Sequence, residues 1–142
     1  MTHQTTPQIT IAPISLDSDL QWLRTLLGDS DVRQQLPHLT TDAVRFVNDM
    51  LIAERAQLGL LRVIKLGHDN IGFVAVYDLD DSPFIFYAML PAYRNHGYMR
   101  QAIAMLQTIV NRPLHTLVAT DNLASIALLE GAGIHFIQES QH

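Results

Sequence analysis

LPAYRNHGYMRQAI, residues 90–103, stands between an apolar run, SPFIFYAML (82–90), and a second run with helical spacing, AIAMLQTIV (102–110). A plain strand-to-helix connector needs a turn and a cap. This one adds Arg94, Asn95, His96 and Gly97 where the first amides of a helix have no partner within it. The helix dipole makes such a start electropositive. Asn95, His96, Gly97, Tyr98 and Met99 can present successive N–H groups to one anion. Gly97 allows close approach or a positive φ, and Arg94 adds charge at the rim. These are the requirements of a pyrophosphate cradle. The segment is neither G-x-G-x-x-G nor G-x-x-x-x-G-K-[ST]. An ordinary turn that uses Gly97 for geometry alone stays open at this point.

Upstream, residues 9–14 (ITIAPI) read as a strand. Asp17 is expected to cap a helix carrying Leu20, Leu23, Leu26 and Leu27, stopped near Gly28. A polar segment with Pro37 follows, and Thr41 is expected to cap a longer helix with Ala43, Phe46, Val47, Met50 and Leu51 at helical spacing. Residues 60–66 and 71–77 form a hairpin around GHDN, and residues 84–90 return as a third antiparallel strand. Downstream, residues 97–110 form a helix with Tyr98, Ala102, Met105, Leu106 and Ile109 on one face, ended by Pro113. Residues 114–119 form a strand parallel to the one ending at Leu90, because a helix crosses between them. Asp121 or Asn122 caps a last helix through Glu130, and residues 134–138 form the final strand. The order is β-α-α-β-β-β-α-β-α-β, a mixed-sheet α/β chain in which ligands are expected at the carboxyl ends of the parallel strands.

A length of 142 residues fits a single domain, 1–142, with a sizeable core, and nearly half the residues are apolar. There is no cysteine, which excludes disulfides and thiolate metal sites. The seven histidines show no metal-ligand spacing, so no metal is expected. The polar start MTHQTTPQ lacks the features of a signal peptide, and no apolar run is long enough to cross a bilayer. A cytoplasmic protein is expected, with no membrane partner. The net charge of −5 and nine scattered basic residues argue against nucleic acid as a partner.

Arg94-x-x-Gly97-x-Met99 resembles the R/Q-x-x-G-x-G/A segment of the GNAT superfamily, which binds the pyrophosphate of acetyl-CoA. Asn122-x-x-Ser125-x-x-Leu128-Leu129-Glu130-x-x-Gly133-Ile134 resembles the N-x-x-S-x-x-L-x-E-x-x-G-F helix of the same family. The two motifs, in order, extend the likeness over nearly the whole chain. With Met99 in place of Gly or Ala, the Gly-Tyr-Met form is closest to the ribosomal-protein N-terminal acetyltransferase (RimJ/RimL-like) branch. The resemblance implies a GNAT acyl-CoA N-acyltransferase fold in which the fourth and fifth strands splay and pantetheine lies in the gap. Ala88 and Met89 would then pair with it, and an amide there would polarise the thioester carbonyl. Arg94, Asn95, His96, Gly97, Tyr98, Met99 and Asn122 complete the implied cofactor site.

The implied reaction is attack of a neutral amine on a thioester, which wants a base for the ammonium proton and an acid for sulfur. Many relatives carry a tyrosine as the acid seven residues after the asparagine, where this chain has Leu129. In the RimL-like branch the serine three residues after it is proposed, and Ser125 matches; a serine that only hydrogen-bonds within its own helix fits equally. No base stands out. SPFIFYAML has no carboxylate, and Tyr87, His115 and, through a water, Asp78 each have a plainer reading as core aromatic, strand-face histidine and turn cap. His96 reads as a backbone spacer. At neutral pH an α-amine (pKa ~8) is roughly a tenth neutral and a lysine (~10.4) less than about a thousandth, a handicap of about 3 kcal/mol. A weak base therefore favours an α-amine or another low-pKa amine.

The favoured function is an N-acetyltransferase moving acetyl from acetyl-CoA to a primary amine by direct transfer. A non-catalytic CoA-binding sensor is the main rival, and a domain whose final strand serves assembly needs no cofactor. The family usually continues with a β-hairpin after Gly133-Ile134, so the fold is expected to be shortened at the C-terminus. Residues 134–138 are then expected to pair directly with residues 114–119, leaving an outer edge that a homodimer would cover.

Overall fold

Strands of alternating pattern and helices with one apolar stripe must bury those faces against one another. The computed structural model describes residues 9–36, 42–79, 82–119, 123–132 and 135–139. The strands are β1 (Ile9–Pro13), β2 (Gly59–Leu66), β3 (Asp69–Leu79), β4 (Ser82–Met89), β5 (His115–Ala119) and β6 (His135–Glu139). The helices are α1 (Leu16–Gly28), α2 (Ser30–Gln35), α3 (Ala43–Arg55), α4 (Tyr98–Val110) and α5 (Leu123–Ala132). The strands form one sheet in chain order. β1 to β4 are antiparallel neighbours, whereas β4–β5 and β5–β6 are parallel, since a helix crosses over each time. The expected direct pairing of the last two strands is present, with His115 opposite His135 and Ala119 opposite Glu139.

The sheet separates two cores. On one side Phe73, Ala75 and Ala88 pack against Leu23 and Leu26 of α1, Val32 of α2, and Phe46, Val47 and Met50 of α3. The rings of Phe46, Phe73 and Phe86 lie with centroids 5.5, 5.9 and 6.3 Å apart and lock α3 onto the middle of the sheet. On the other side Val74, Val76, Ile85 and Met89 meet Tyr98, Ala102, Ile103 and Leu106 of α4 and Leu129 of α5.

Several local expectations are corrected. Helix α1 starts at Leu16, with Ser15 at the cap position and Asp17 in the first turn. Ser15 uses no side-chain cap; its amide instead donates to the buried Asp19 carboxylate at 2.8 Å. The polar segment contains a helix, α2, capped by Asp29, whose Oδ1 accepts from the Asp31 and Val32 amides at 2.9 and 3.1 Å. Asp42, not Thr41, caps α3, accepting from the Arg45 amide at 2.9 Å, and Thr41 lies outside the described residues. Helix α4 ends at Asn111, which takes the left-handed conformation (φ 54°), ahead of Pro113. Its buried stripe includes Met99 and Ile103, while Ile109 is exposed. Asp121, Asn122, Gly133 and Ile134 lie outside the described residues.

Candidate functional site

The β4–β5 ladder holds a single pair among the described residues, Phe84 opposite His115. Immediately beyond it, buried Thr116 donates its hydroxyl to the Ile85 carbonyl at 2.9 Å. Toward their carboxyl ends the two strands form no further pair among the described residues, and this unpaired stretch, with the Thr116 side chain at its base, is a candidate wedge. The Phe84 and His115 rings also meet at that base, tilted, with 5.8 Å between centroids. The opposite edge of β4 stays paired: Gly72 faces Met89, and the Leu90 amide donates to Ile71 O at 2.9 Å. A Cβ on Gly72 would lie 2.4 Å from Ala88 O, so this glycine is what lets β3 and the end of β4 come so close.

At the top of the wedge the chain makes a 3₁₀ turn, Pro91–Tyr93, and reaches Arg94 in extended conformation. Asn95 (φ 66°) and Gly97 (φ 80°) are both left-handed, and α4 starts at Tyr98. Among the described residues no side chain caps that first turn. A Cβ built on Gly97 meets nothing within 4 Å, so the amides open onto clear space. Such a start suits an anion as bulky as a pyrophosphate. Arg94 lies at its rim, with Nε donating to Met89 O at 3.1 Å and Nη1 to Asp31 Oδ2 at 3.1 Å. That ion pair ties α2 to the cradle. His96 is exposed and stacks on buried Tyr98, 5.4 Å between centroids. Met99 turns its side chain into the core and leaves only its backbone to the turn.

Ala88, Met89 and the loop from Arg94 to Met99 thus come together at one end of the sheet, whereas Asn122 lies outside the described residues. Ser125 sits near the start of α5, where its hydroxyl hydrogen-bonds the phenol of Tyr87 on β4. Burial raises the Tyr87 phenol above its ordinary range, and the bond with Ser125 pulls back part of that rise. Leu129 is fully buried. Of the other base candidates, Asp78 holds Arg112 at 2.9 Å and His115 packs at the base of the wedge. The Tyr87–Ser125 and Arg94–Asp31 contacts join distant parts of the chain, and a single sequence carries no signal for either.

A family model described as an acetyltransferase (GNAT) domain matches residues 8–135. No curated protein matches the chain. Among solved structures it is similar to the microcin C7 self immunity acetyltransferase MccE, in complex with acetyl-CoA and AMP. That match has 18% identity and a TM-score of 0.75, covering 89% of this chain and 78% of the other. Spermidine N-acetyltransferase from Vibrio cholerae, in complex with CoA and spermine, gives 18% identity and 0.73, covering 89% and 80%. RimL, a ribosomal L7/L12 α-N-protein acetyltransferase in complex with coenzyme A, gives 16% and 0.72, covering 88% and 78%. At these identities the likeness is one of fold.

Proposed function

The chain belongs to the GNAT acetyltransferase domain family, and from that premise we propose that it moves an acetyl group from acetyl-CoA to a primary amine by direct transfer. The observation that carries this reading is the wedge between β4 and β5, opening beside the uncapped, glycine-led start of α4. A long cofactor with an anionic middle and an extended amide arm needs that pairing of features. The residues fit it: the amides from Asn95 to Met99 would hold the pyrophosphate, with Arg94 at the rim. The Ala88–Met89 backbone, which pairs with no β5 residue among the described residues, would take the extended arm. Acetyl-CoA supplies the activated acyl group. Ser125 is the candidate acid for the departing sulfur, and Asn122 belongs to the same proposed site. The acceptor we favour is an α-amine of a peptide or small molecule, since no carboxylate base stands on β4.

Residues 1–142 would work as one acetyltransferase unit. Among the described residues no helix is long and apolar enough to cross a membrane, and we place the protein in the cytoplasm as a homodimer. The test has two steps. Calorimetry with acetyl-CoA is expected to show binding, and thiol release with a panel of amines is expected to be fastest with an α-amine. Binding without release for any amine would support a sensor instead, and faster release with a peptide lysine than with a matched α-amine would remove the acceptor assignment.

A further inference from the structure

Arg94 is held by acceptors on two different elements, and neither element depends on Arg94 for its own place. The Leu90 amide donates to Ile71 O, which marks those residues as a hydrogen-bonded antiparallel pair. Met89 and Gly72 are the next pair along, so the Met89 carbonyl points away from β3, to the edge where Ile85 O takes the Thr116 hydroxyl. Arg94 Nε donates to that Met89 carbonyl at 3.1 Å, at the opposite end of the wedge from Thr116. On its other side Arg94 Nη1 lies 3.1 Å from Asp31 Oδ2 of α2. Helix α2 is anchored by other means: Val32 is fully buried in the core, and the Asp29 side chain caps its first amides. Asp31 is therefore the fixed post and Arg94 the group it holds. The Asp31 side chain is 55% exposed, and an ion pair so open to water adds little to the stability of a fold.

We propose that Asp31 is a positioning residue of the cofactor site, which pins the Arg94 guanidinium beside the start of α4 so that the pyrophosphate of acetyl-CoA meets an arginine already ordered. This rests on the acetyl-transfer reading above, in which the amides of residues 95–99 hold that pyrophosphate and Arg94 stands at their rim. A guanidinium is a planar fork, and bonds from both Nε and Nη1 fix the direction of its plane. It carries five N–H donors, so these two bonds do not exhaust it. An arginine left to move would have to be ordered on binding, at the expense of affinity. The Asp31 charge also has an opposing effect, because a carboxylate near an anion site repels phosphate. Loss of the carboxylate therefore weakens acetyl-CoA binding through lost order and tightens it through lost repulsion. Repulsion between exposed charges is screened by salt and ordering is not, so the loss of order prevails.

The test is a cycle of Asp31→Ala, Arg94→Ala and the double variant, with calorimetry of acetyl-CoA on each. Asp31→Ala is expected to bind about threefold to tenfold more weakly, the range for ordering one long side chain. Its melting temperature is expected to stay within about 4 °C of the parent, and a larger fall would make the pair structural and overturn the proposal. In the Arg94→Ala background the same change is expected to move affinity by less than about twofold, because nothing is left to position. Equal or tighter binding by Asp31→Ala overturns the proposal, as does a loss that persists in the Arg94→Ala background; both leave the acetyl-transfer reading standing. A parent that binds no acetyl-CoA overturns that reading and the proposal together. One further measurement needs no ligand. The Arg94 Nε–H, followed by its ¹⁵N resonance, is expected to exchange with water about threefold faster or more in Asp31→Ala, and an unchanged rate overturns the pinning.

Discussion

Asp19 is 2% exposed and keeps its charge. Its Oδ2 accepts from the Ser15 amide at 2.8 Å, its Oδ1 accepts from Asn70 Nδ2 at 2.9 Å, and Lys65 Nζ stands 3.6 Å away. Lys65 in turn donates to Asn70 Oδ1 at 2.6 Å, so one carboxylate joins the start of α1 to the β2–β3 hairpin. Burial pushes the carboxyl pKa up, but the Ser15 amide, the Asn70 amide and Lys65 outweigh it and hold it below the ordinary value. A folded pKa below the unfolded one means that this group stabilises the fold above the unfolded value of ~3.9. That contribution is lost as pH falls through the lower folded value. Asp19→Asn is expected to cost about 1–3 kcal/mol at neutral pH, and to flatten the dependence of stability on pH below about 4. Denaturant midpoints measured between pH 2.5 and 7 check both; parallel curves for parent and variant would remove Asp19 as the titrating group.

At the scale of elements, the start of α4 is where local pattern and function meet. Gly97 holds φ 80° with clear space where a Cβ would go, so replacing it costs backbone strain and not packing. Gly97→Val is expected to lose about 1–2 kcal/mol of stability and to weaken acetyl-CoA binding about tenfold or more, by filling the approach to the amides. Calorimetry beside a thermal melt separates the two effects; unchanged affinity would mean that the cradle lies elsewhere. Order, strand directions and the Arg94–Met99 turn were legible because each rests on short-range pattern: alternation, helical spacing, turn chemistry, and a crossover that forces parallel pairing. The resemblance then added the proposal of what the turn holds. Helix α2 was not legible, because a helix of 6 residues is too short to show a period, and buried Val32 holds it in place. The Ser15 cap was misread as Asp17 because its real partner, Asp19, takes its other bonds from β2 and β3. The same limit hid Thr116, which closes the wedge by reaching across to Ile85.

The whole sheet has two edges, β1 and β6, and they differ in what guards them. β1 is 5 residues long and ends in Pro13, which has no amide to offer a further strand. β6 is equally short, pairs through all of its residues with β5, and among the described residues has no strand on its outer side. The sequence there, HFIQE, places just one formal charge in the run, at its last residue. An edge of that kind invites another chain, and two copies of one edge meet most simply about a two-fold axis, which closes the assembly. A homodimer through β6 is therefore expected. It would set two wedges on one continuous sheet, each separated from the seam by β5 and β6 of its own chain, so loss of the dimer should alter amine selection before it alters acetyl-CoA affinity. Light scattering at high micromolar concentration checks the assembly. Removing residues 134–142 is expected to abolish it together with solubility, since β5 would then become the bare edge. A monomer at that concentration would remove the dimer and leave the cradle assignment intact, because the amides at the start of α4 belong to one chain.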